Sequence, residues 1–217
     1  MLARFNLVEQ FRFTVLGLGW SVLSPAITIV VLSFAFSYIL RLNIEYYPLY
    51  LMSGLMPWVL FSTNVLKISD CVIARADIFK KTNSRISLFV SADALTQFYL
   101  FFLATCAMQL TLAIFFVGHI QLTFFWFPVL CLPILVASAA LGFFLATLVP
   151  VYRDLRYITE VILNAIYWTV PIIYTVELVP DNVVWIFDFN PVYMLIKPMQ
   201  QAIYYGVLPT FFDMLAA

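Results

Sequence analysis

The 59 residues from Ala94 to Tyr152 carry no formal charge, and this tract constrains the fold more than any other feature. Roughly 20 apolar residues are enough to cross a bilayer core as a helix, so one helix cannot use the whole of it. Its single polar break is Gly118-His119-Ile120-Gln121, which predicts a hairpin of two spans, Ala94 to Val117 and Leu122 to Val149. Gln97 and Gln109 then fall inside the first of these and are expected to hydrogen-bond between helices.

Other uncharged tracts repeat the pattern. Phe13 to Leu40 gives 28 uncharged residues, with Gly17, Gly19, Ser21, Ser24 and Pro25 near its start. Small residues there favour close helix packing, and the proline bends the axis. Tyr46 to Leu66 is a further span, with Gly54 and Pro57-Trp58 expected to widen or break its helix unless packed against protein. Tyr157 to Val176 is the last, with Glu160 and Asn164 early and Pro171 late. Beyond Glu177 the apolar runs are short and broken by Pro180, Pro191, Pro198 and Pro209, so residues 177–217 are expected to form short interfacial or re-entrant helices.

The expected fold is therefore an all-α, polytopic transmembrane bundle, a single domain over 1–217 with five full spans. The chain stops at Ala217, short of a sixth span. Met1 to Phe13 interleaves Leu2, Phe5, Val8 and Phe11 with Arg4, Glu9 and Arg12, which fits either a short interfacial helix or a frayed tail. Those charges interrupt what would be the apolar part of a cleavable signal peptide, so the first span is expected to insert the chain.

Only 10% of the residues are charged, and their distribution sets the orientation. Arg4, Arg12, Lys67, Arg75, Lys80, Lys81, Arg85, Arg153 and Arg156 fall at one end of the predicted spans, with Arg41 and Lys197 at the other. Basic residues collect on the cytoplasmic side, which places the N-terminus and the polar stretch 67–93 there. The 11 basic and 11 acidic residues cancel, so no overall field recruits nucleic acid.

The same inventory narrows the chemistry. With one histidine, His119, and no carboxylate in the middle of a predicted span, the chain offers no gathered acid, base or metal set, and an enzyme is not expected. Proton- and sodium-coupled carriers use ionisable groups near the midplane, which these spans also lack. Cys71, Cys106 and Cys131 show no metal-ligand spacing and resemble small hydrophobes rather than disulfide partners. The six glycines build no phosphate-cradling loop ending in Gly-Lys-Ser/Thr. Energy for uphill transport would have to come from a separate ATPase pressing on the cytoplasmic loop, whose accessible part is Asp77 to Ser87.

Phe13-Thr14-Val15-Leu16-Gly17-Leu18-Gly19-Trp20-Ser21-Val22-Leu23-Ser24-Pro25 resembles the start of the first span in the permease subunits of ABC-type polysaccharide exporters, which move O-antigen, capsule or teichoic acid chains. Gly54-Leu55-Met56-Pro57-Trp58, Tyr152-Arg153-Asp154-Leu155, Thr169-Val170-Pro171-Ile172-Ile173-Tyr174 and Asn190-Pro191 resemble further motifs of that family, in the same order. After Lys80-Lys81, Thr82-Asn83-Ser84-Arg85-Ile86-Ser87 stands where the family has a Phe-Pro element.

The resemblance implies a permease that pairs with a second copy of itself and with an ABC ATPase subunit that binds ATP and Mg. It implies a lipid-linked polysaccharide as cargo, and the cytoplasmic (inner) membrane of a bacterium or archaeon as location. Asp77, Lys80, Lys81 and Arg85 would contact the ATPase. Spans one and five flank the gate in that family, which puts Arg4, Arg12, Trp20, Trp58, Arg153, Asp154, Arg156 and Trp168 along the gate or substrate path. An Arg153–Asp154 pair would fix the start of span five. The outer aromatics Tyr38, Tyr46, Tyr47, Tyr50, Trp126, Tyr174, Trp185, Tyr193, Tyr204 and Tyr205 fit either an interfacial belt or an exit that stacks on sugar rings. The rival expectation, resting on the absent sixth span, is a truncated, non-transporting assembly or regulatory protein of the same fold.

Overall fold

The computed structural model describes residues 15–76, 86–115, 122–180 and 182–208. All regular structure among them is helical. The principal helices are α1 (Gly19–Phe34), α2 (Tyr47–Ser69), α3 (Ile86–Phe115), α4 (Leu132–Leu148), α5 (Leu155–Thr169) and α6 (Pro191–Gln200). Four stretches are long and apolar enough to cross a membrane: Gly19–Ile39, Tyr47–Ser69, Ile86–Ile114 and Phe127–Leu148.

Helix α2 is the axle of the bundle. Most of its residues are buried, and α1, α3, α4, α5 and α6 all pack on it. Small residues set the closest approaches. A Cβ at Gly142 of α4 would lie 2.7 Å from the Ile68 Cβ, and one at Gly54 would meet Gln200 Nε2 at 3.0 Å and the Ile172 Cα at 3.3 Å. The chain runs through Pro57 without leaving the helix. The helix stays whole under the condition expected of it, because neighbouring elements enclose α2 and keep its freed backbone groups away from lipid.

Three boundaries differ from expectation. The polar stretch 67–93 is mostly helical at its two ends: α2 runs to Ser69, Cys71–Ala74 adds one turn, and α3 begins at Ile86 rather than Ala94. A charge as early in α3 as Asp93 is tolerated because Arg75 neutralises it at 2.7 Å. The tract Tyr157 to Val176 is not one helix. Helix α5 ends at Thr169, where Val170 turns to extended geometry (φ −90°, ψ 133°), since a residue before proline avoids the α region. At 15 residues α5 is about 22 Å long, shorter than a hydrocarbon core of about 30 Å. Span four is divided into a 3-10 turn at Leu122–Trp126, a turn at Phe127–Leu130, and α4.

The extended segment after Pro171 is accommodated by side chains. The Tyr50 hydroxyl lies 2.6 Å from the Tyr174 carbonyl and 2.9 Å from that of Pro171, the Tyr47 hydroxyl donates to the Ile173 carbonyl at 2.6 Å, and Gln200 Nε2 donates to the Pro171 carbonyl at 2.8 Å. Irregular backbone at this depth survives only where protein satisfies it. Tyr47 and Tyr50 are buried and thus belong to neither a belt nor an exit, whereas Tyr38, Trp126, Trp185 and Tyr205 are exposed.

Short helices follow, as expected beyond Glu177. Asn190 caps α6 by accepting from the Val192 and Tyr193 amides at 3.0 and 3.3 Å. Val192, Leu195, Ile196 and Met199 of α6 are buried in the core around α2. All three cysteines are free; Cys71 and Cys131 are buried, and Cys106 is exposed on α3. Gln97 makes no hydrogen bond among the described residues, contrary to the role expected of it.

Candidate coupling and gating site

Charged side chains gather at one end of the bundle, where α2 leads through Cys71–Ala74 and α5 begins. Arg75 Nη1 and Nη2 donate to Asp93 Oδ2 and Oδ1, each at 2.7 Å, with Asp93 8% and Arg75 20% exposed at the side chain. The Arg75 guanidinium also stands 5.7 Å from the centre of the Phe89 ring. Because Arg75 precedes the segment 77–85 and Asp93 lies one to two turns into α3, this bidentate pair closes the base of that segment.

The second ion pair joins Arg156 Nε at the start of α5 to Asp70 Oδ2 at the end of α2, at 3.1 Å. Partial burial raises the affinity of the Asp70 carboxyl for its proton and Arg156 offsets this in part, with Glu160 acting the other way. Arg153 and Asp154 are exposed and form no ion pair with each other. The cation that fixes the start of α5 is thus Arg156, paired to α2. Burial, reinforced by Asp93, pushes the Cys71 thiol up to about 11, so it stays protonated and is not a nucleophile at neutral pH.

Trp58 is 7% exposed and joins α2 to α5: its ring lies 5.6 Å from Tyr167 and 6.1 Å from Phe61. Tyr167 in turn meets Trp168 edge-on at 5.4 Å. Trp168 is 60% exposed and shares the outer side of α5 with Tyr157, Val161 and Ile162, all of them exposed. Trp20, at the start of α1, lines a cavity with Lys67 and Gln97. The remaining expected site residues, Arg4, Arg12, Asp77, Lys80, Lys81 and Arg85, lie outside the described residues, as does His119.

Among the described residues the site consists of ionic and aromatic links between helices. Arg75–Asp93 links the polar segment to α2 and α3, Asp70–Arg156 links α2 to α5, and Trp58–Tyr167 couples the same two helices farther in. Sequence reading missed Asp70 and Asp93 as partners. Their signal was opposite charge within one polar stretch, Arg75 before the segment 77–85 and Asp93 after it, and Asp70 in reach of the Tyr-Arg-Asp-Leu motif only once folded.

Helices of this length around a buried axle define a polytopic membrane protein whose ionic links lie at one end. Residues 1–204 match the ABC-2 type transporter family, and the chain belongs to it. It is 25% identical over 206 residues to an O-antigen export system permease protein RfbA from Klebsiella pneumoniae, covering 94% of this chain and 78% of that one. It is 26% identical over 214 residues to the protein of that name from Myxococcus xanthus, covering 96% and 80%. The chain is thus an ABC exporter permease embedded in a membrane by several spans, in agreement with the resemblance carried by the motifs.

Proposed function

We propose that this chain is the permease subunit of an exporter that moves a lipid-linked polysaccharide across the cytoplasmic membrane of a bacterium or archaeon, driven by a separate ATPase. The observation that carries the proposal is similarity, across nearly the whole chain, to permeases named for O-antigen export. The physical need is plain. A phosphate-bearing headgroup cannot cross hydrocarbon unaided, since a single charge at the bilayer centre costs about 3 kcal/mol or more.

Two copies of the chain enclose the path, and the exposed apolar sides of α1 (Val30, Val31, Phe34) and α5 (Val161, Ile162, Trp168) are suited to meet a second copy or lipid. The ATPase engages the segment 77–85 through Asp77, Lys80, Lys81 and Arg85. Because Arg75–Asp93 clasps the base of that segment, a push on it moves α2 and α3, and Asp70–Arg156 carries the displacement to α5. Arg4, Arg12 and Arg156 attract the phosphate, and Trp58 and Trp168 border its route.

The test is co-expression of the tagged chain with a candidate ABC ATPase from the same organism, in cells that make the polysaccharide but lack their own exporter. Polysaccharide at the surface, and an ATPase that co-purifies with the wild-type chain but not with the Lys80→Glu, Lys81→Glu, Arg85→Glu triple variant, is the expected result. A chain that inserts and binds the ATPase yet exports nothing would make it an assembly or regulatory protein.

A further inference from the structure

At the end of α2 opposite Asp70, Tyr50 lines a cavity of about 490 Å³ whose other walls come from the chain beyond Pro171. A row of four side chains spaced four apart, Tyr193, Lys197, Gln201 and Tyr205, forms one side of it. Four residues overshoot a 3.6-residue turn, so along an α-helix such a row winds away from any one cavity. Here α6 continues into a π-helical turn, Gln201–Tyr205, and the wider spacing of that turn brings Tyr205 back into line. Turns of this kind are found frequently at functional sites. Gly206 then takes left-handed geometry (φ 69°), and the Val207 amide closes the turn on the Gln201 carbonyl at 3.0 Å.

The cavity offers an exposed ring and two opposite charges. Tyr205 is 48% exposed, and Tyr204 meets it edge-to-face at 5.0 Å. Tyr204 is fixed in turn, 5.2 Å from the Tyr50 ring and donating its hydroxyl to the Glu45 carbonyl at 2.9 Å. The Tyr205 ring is thus a platform set before any ligand arrives. The Lys197 ammonium stands 6.0 Å from the centre of the Tyr193 ring, and Glu177 comes from the 3-10 turn Val176–Leu178. Both are exposed, and neither head group forms a hydrogen bond or ion pair among the described residues. A carboxylate only accepts and an ammonium only donates. One of each cancels in charge, so the lining favours neither an anion nor a cation; it suits hydroxyls, which donate and accept at the same oxygen. A ring with hydroxyls around its edge and C–H bonds on its faces matches all three groups, since the face of an aromatic ring is negative and attracts C–H.

We infer that this cavity is a saccharide subsite, in which one sugar ring of the polysaccharide stacks on Tyr205 while its hydroxyls bridge Glu177 and Lys197. The identity of the ligand rests on the exporter reading above. The volume falls within the roughly 300–1,000 Å³ of small-molecule sites, which suits a short stretch of sugars. None of the residues lining it belongs to the gate or path named from the motifs, and Tyr205 is assigned to sugar contact rather than to an interfacial belt. Each subunit thus carries its own contact that discriminates among sugars, at the end of the bundle away from the ionic links.

The test uses the full-length chain in neutral detergent and short oligosaccharides cut from the polysaccharide of the cells used for co-expression, with binding read by saturation-transfer NMR. Transfer to the C–H protons of one sugar face is the expected result. Tyr205→Ala should weaken binding about fivefold, the effect of losing one aromatic contact, whereas Tyr205→Phe keeps the ring and should bind as the wild type does. Glu177→Ala and Lys197→Ala should each weaken it about fivefold, as loss of a hydrogen bond does, and because these side chains are exposed the melting temperature should stay that of the wild type. Phosphatidylethanolamine, whose headgroup carries the same pair of charges, should not displace the sugar. Absence of transfer in the wild type, equal binding in Tyr205→Ala, or equal loss in Tyr205→Phe and Tyr205→Ala would overturn the subsite, and displacement by phosphatidylethanolamine would give the cavity to lipid. Export in the co-expression experiment separates the two readings: export without saccharide binding overturns the subsite alone, whereas binding without export supports the subsite and overturns the exporter.

Discussion

Arg75 and Asp93 face each other through two parallel hydrogen bonds of 2.7 Å, 18 positions apart in sequence, and between them runs the segment that carries Lys80, Lys81 and Arg85. A planar guanidinium against a carboxylate fixes direction as well as distance, so the clasp holds the ends of that segment in register with α2 and α3.

Breaking the clasp from one side leaves a desolvated charge. Asp93→Ala should destabilise the chain by about 2–3 kcal/mol, below the 3–5 kcal/mol of a fully buried pair because Arg75 keeps some access to water. Arg75→Lys should restore folding better than coupling, since an ammonium cannot pair through two parallel bonds. Thermal unfolding in detergent, read beside ATP hydrolysed per polysaccharide exported, separates the two effects. The double exchange Arg75→Asp, Asp93→Arg should recover part of both.

The Asp70–Arg156 pair predicts a dependence on pH. The Asp70 carboxyl binds its proton more tightly in the folded chain than in the unfolded one, burial outweighing the pull of Arg156. A group with a raised folded pKa keeps its proton longest in the native state, so this residue's contribution to stability declines as pH rises from the ordinary carboxylate value towards the folded one. Arg156→Ala removes the neighbour that limits the shift and should widen that pH window. Asp70→Asn should abolish this part of the slope with little loss of stability at neutral pH, as solvent screens a pair exposed to 25% and 55%. Melting temperatures between pH 4 and pH 8, two values that bracket the ordinary carboxylate pKa of about 4, check both variants.

The seam between α2 and the segment after Pro171 depends on three polar side chains. Tyr50→Phe strips the hydroxyl from the Pro171 and Tyr174 carbonyls and should cost about 1–3 kcal/mol, the penalty for a buried acceptor left unpaired. Gly54→Ala acts on the same seam by crowding, since its Cβ would meet the Ile172 backbone at 3.3 Å; overpacking of this kind costs about 1–3 kcal/mol. The two substitutions share neighbours and should be non-additive, which a double-mutant cycle on unfolding tests directly.

The long uncharged tracts made the helical membrane class legible, because hydrocarbon admits few other structures. Motif order made the family legible as well. The ends of elements were harder to read. A charge count ended the polar stretch at Asp93, but the helix runs through Asp93 because Arg75, far off in sequence, neutralises it. The sequence places Pro171 within a span that continues to Val176, because an apolar run does not reveal that the residues after it leave the helix and are held by Tyr47, Tyr50 and Gln200. For the same reason buried tyrosines resembled an interfacial belt. Arg153 and Asp154 are adjacent in sequence, but the ion pair that forms joins Arg156 to Asp70, across two helices.

Trp58 and Trp168 separate a packing role from a role in passage. Trp58 is buried between Phe61 and Tyr167, so Trp58→Ala should cost about 3–5 kcal/mol, as large-to-small changes in a core do. Trp168 is exposed, and Trp168→Ala should change stability by no more than about 0.5 kcal/mol. If α5 borders the path of the polysaccharide, the two variants should nevertheless share one defect, with long chains exported less well than short ones. Trp58→Phe keeps most of the packing against Tyr167 and gives the cleaner comparison, because a chain-length defect in it cannot follow from unfolding. Gel profiles of surface polysaccharide, normalised to the amount of permease in the membrane, provide the measurement. A uniform fall across all lengths in Trp58→Ala, with wild-type profiles in Trp58→Phe and Trp168→Ala, would confine both residues to packing and move the path away from α5.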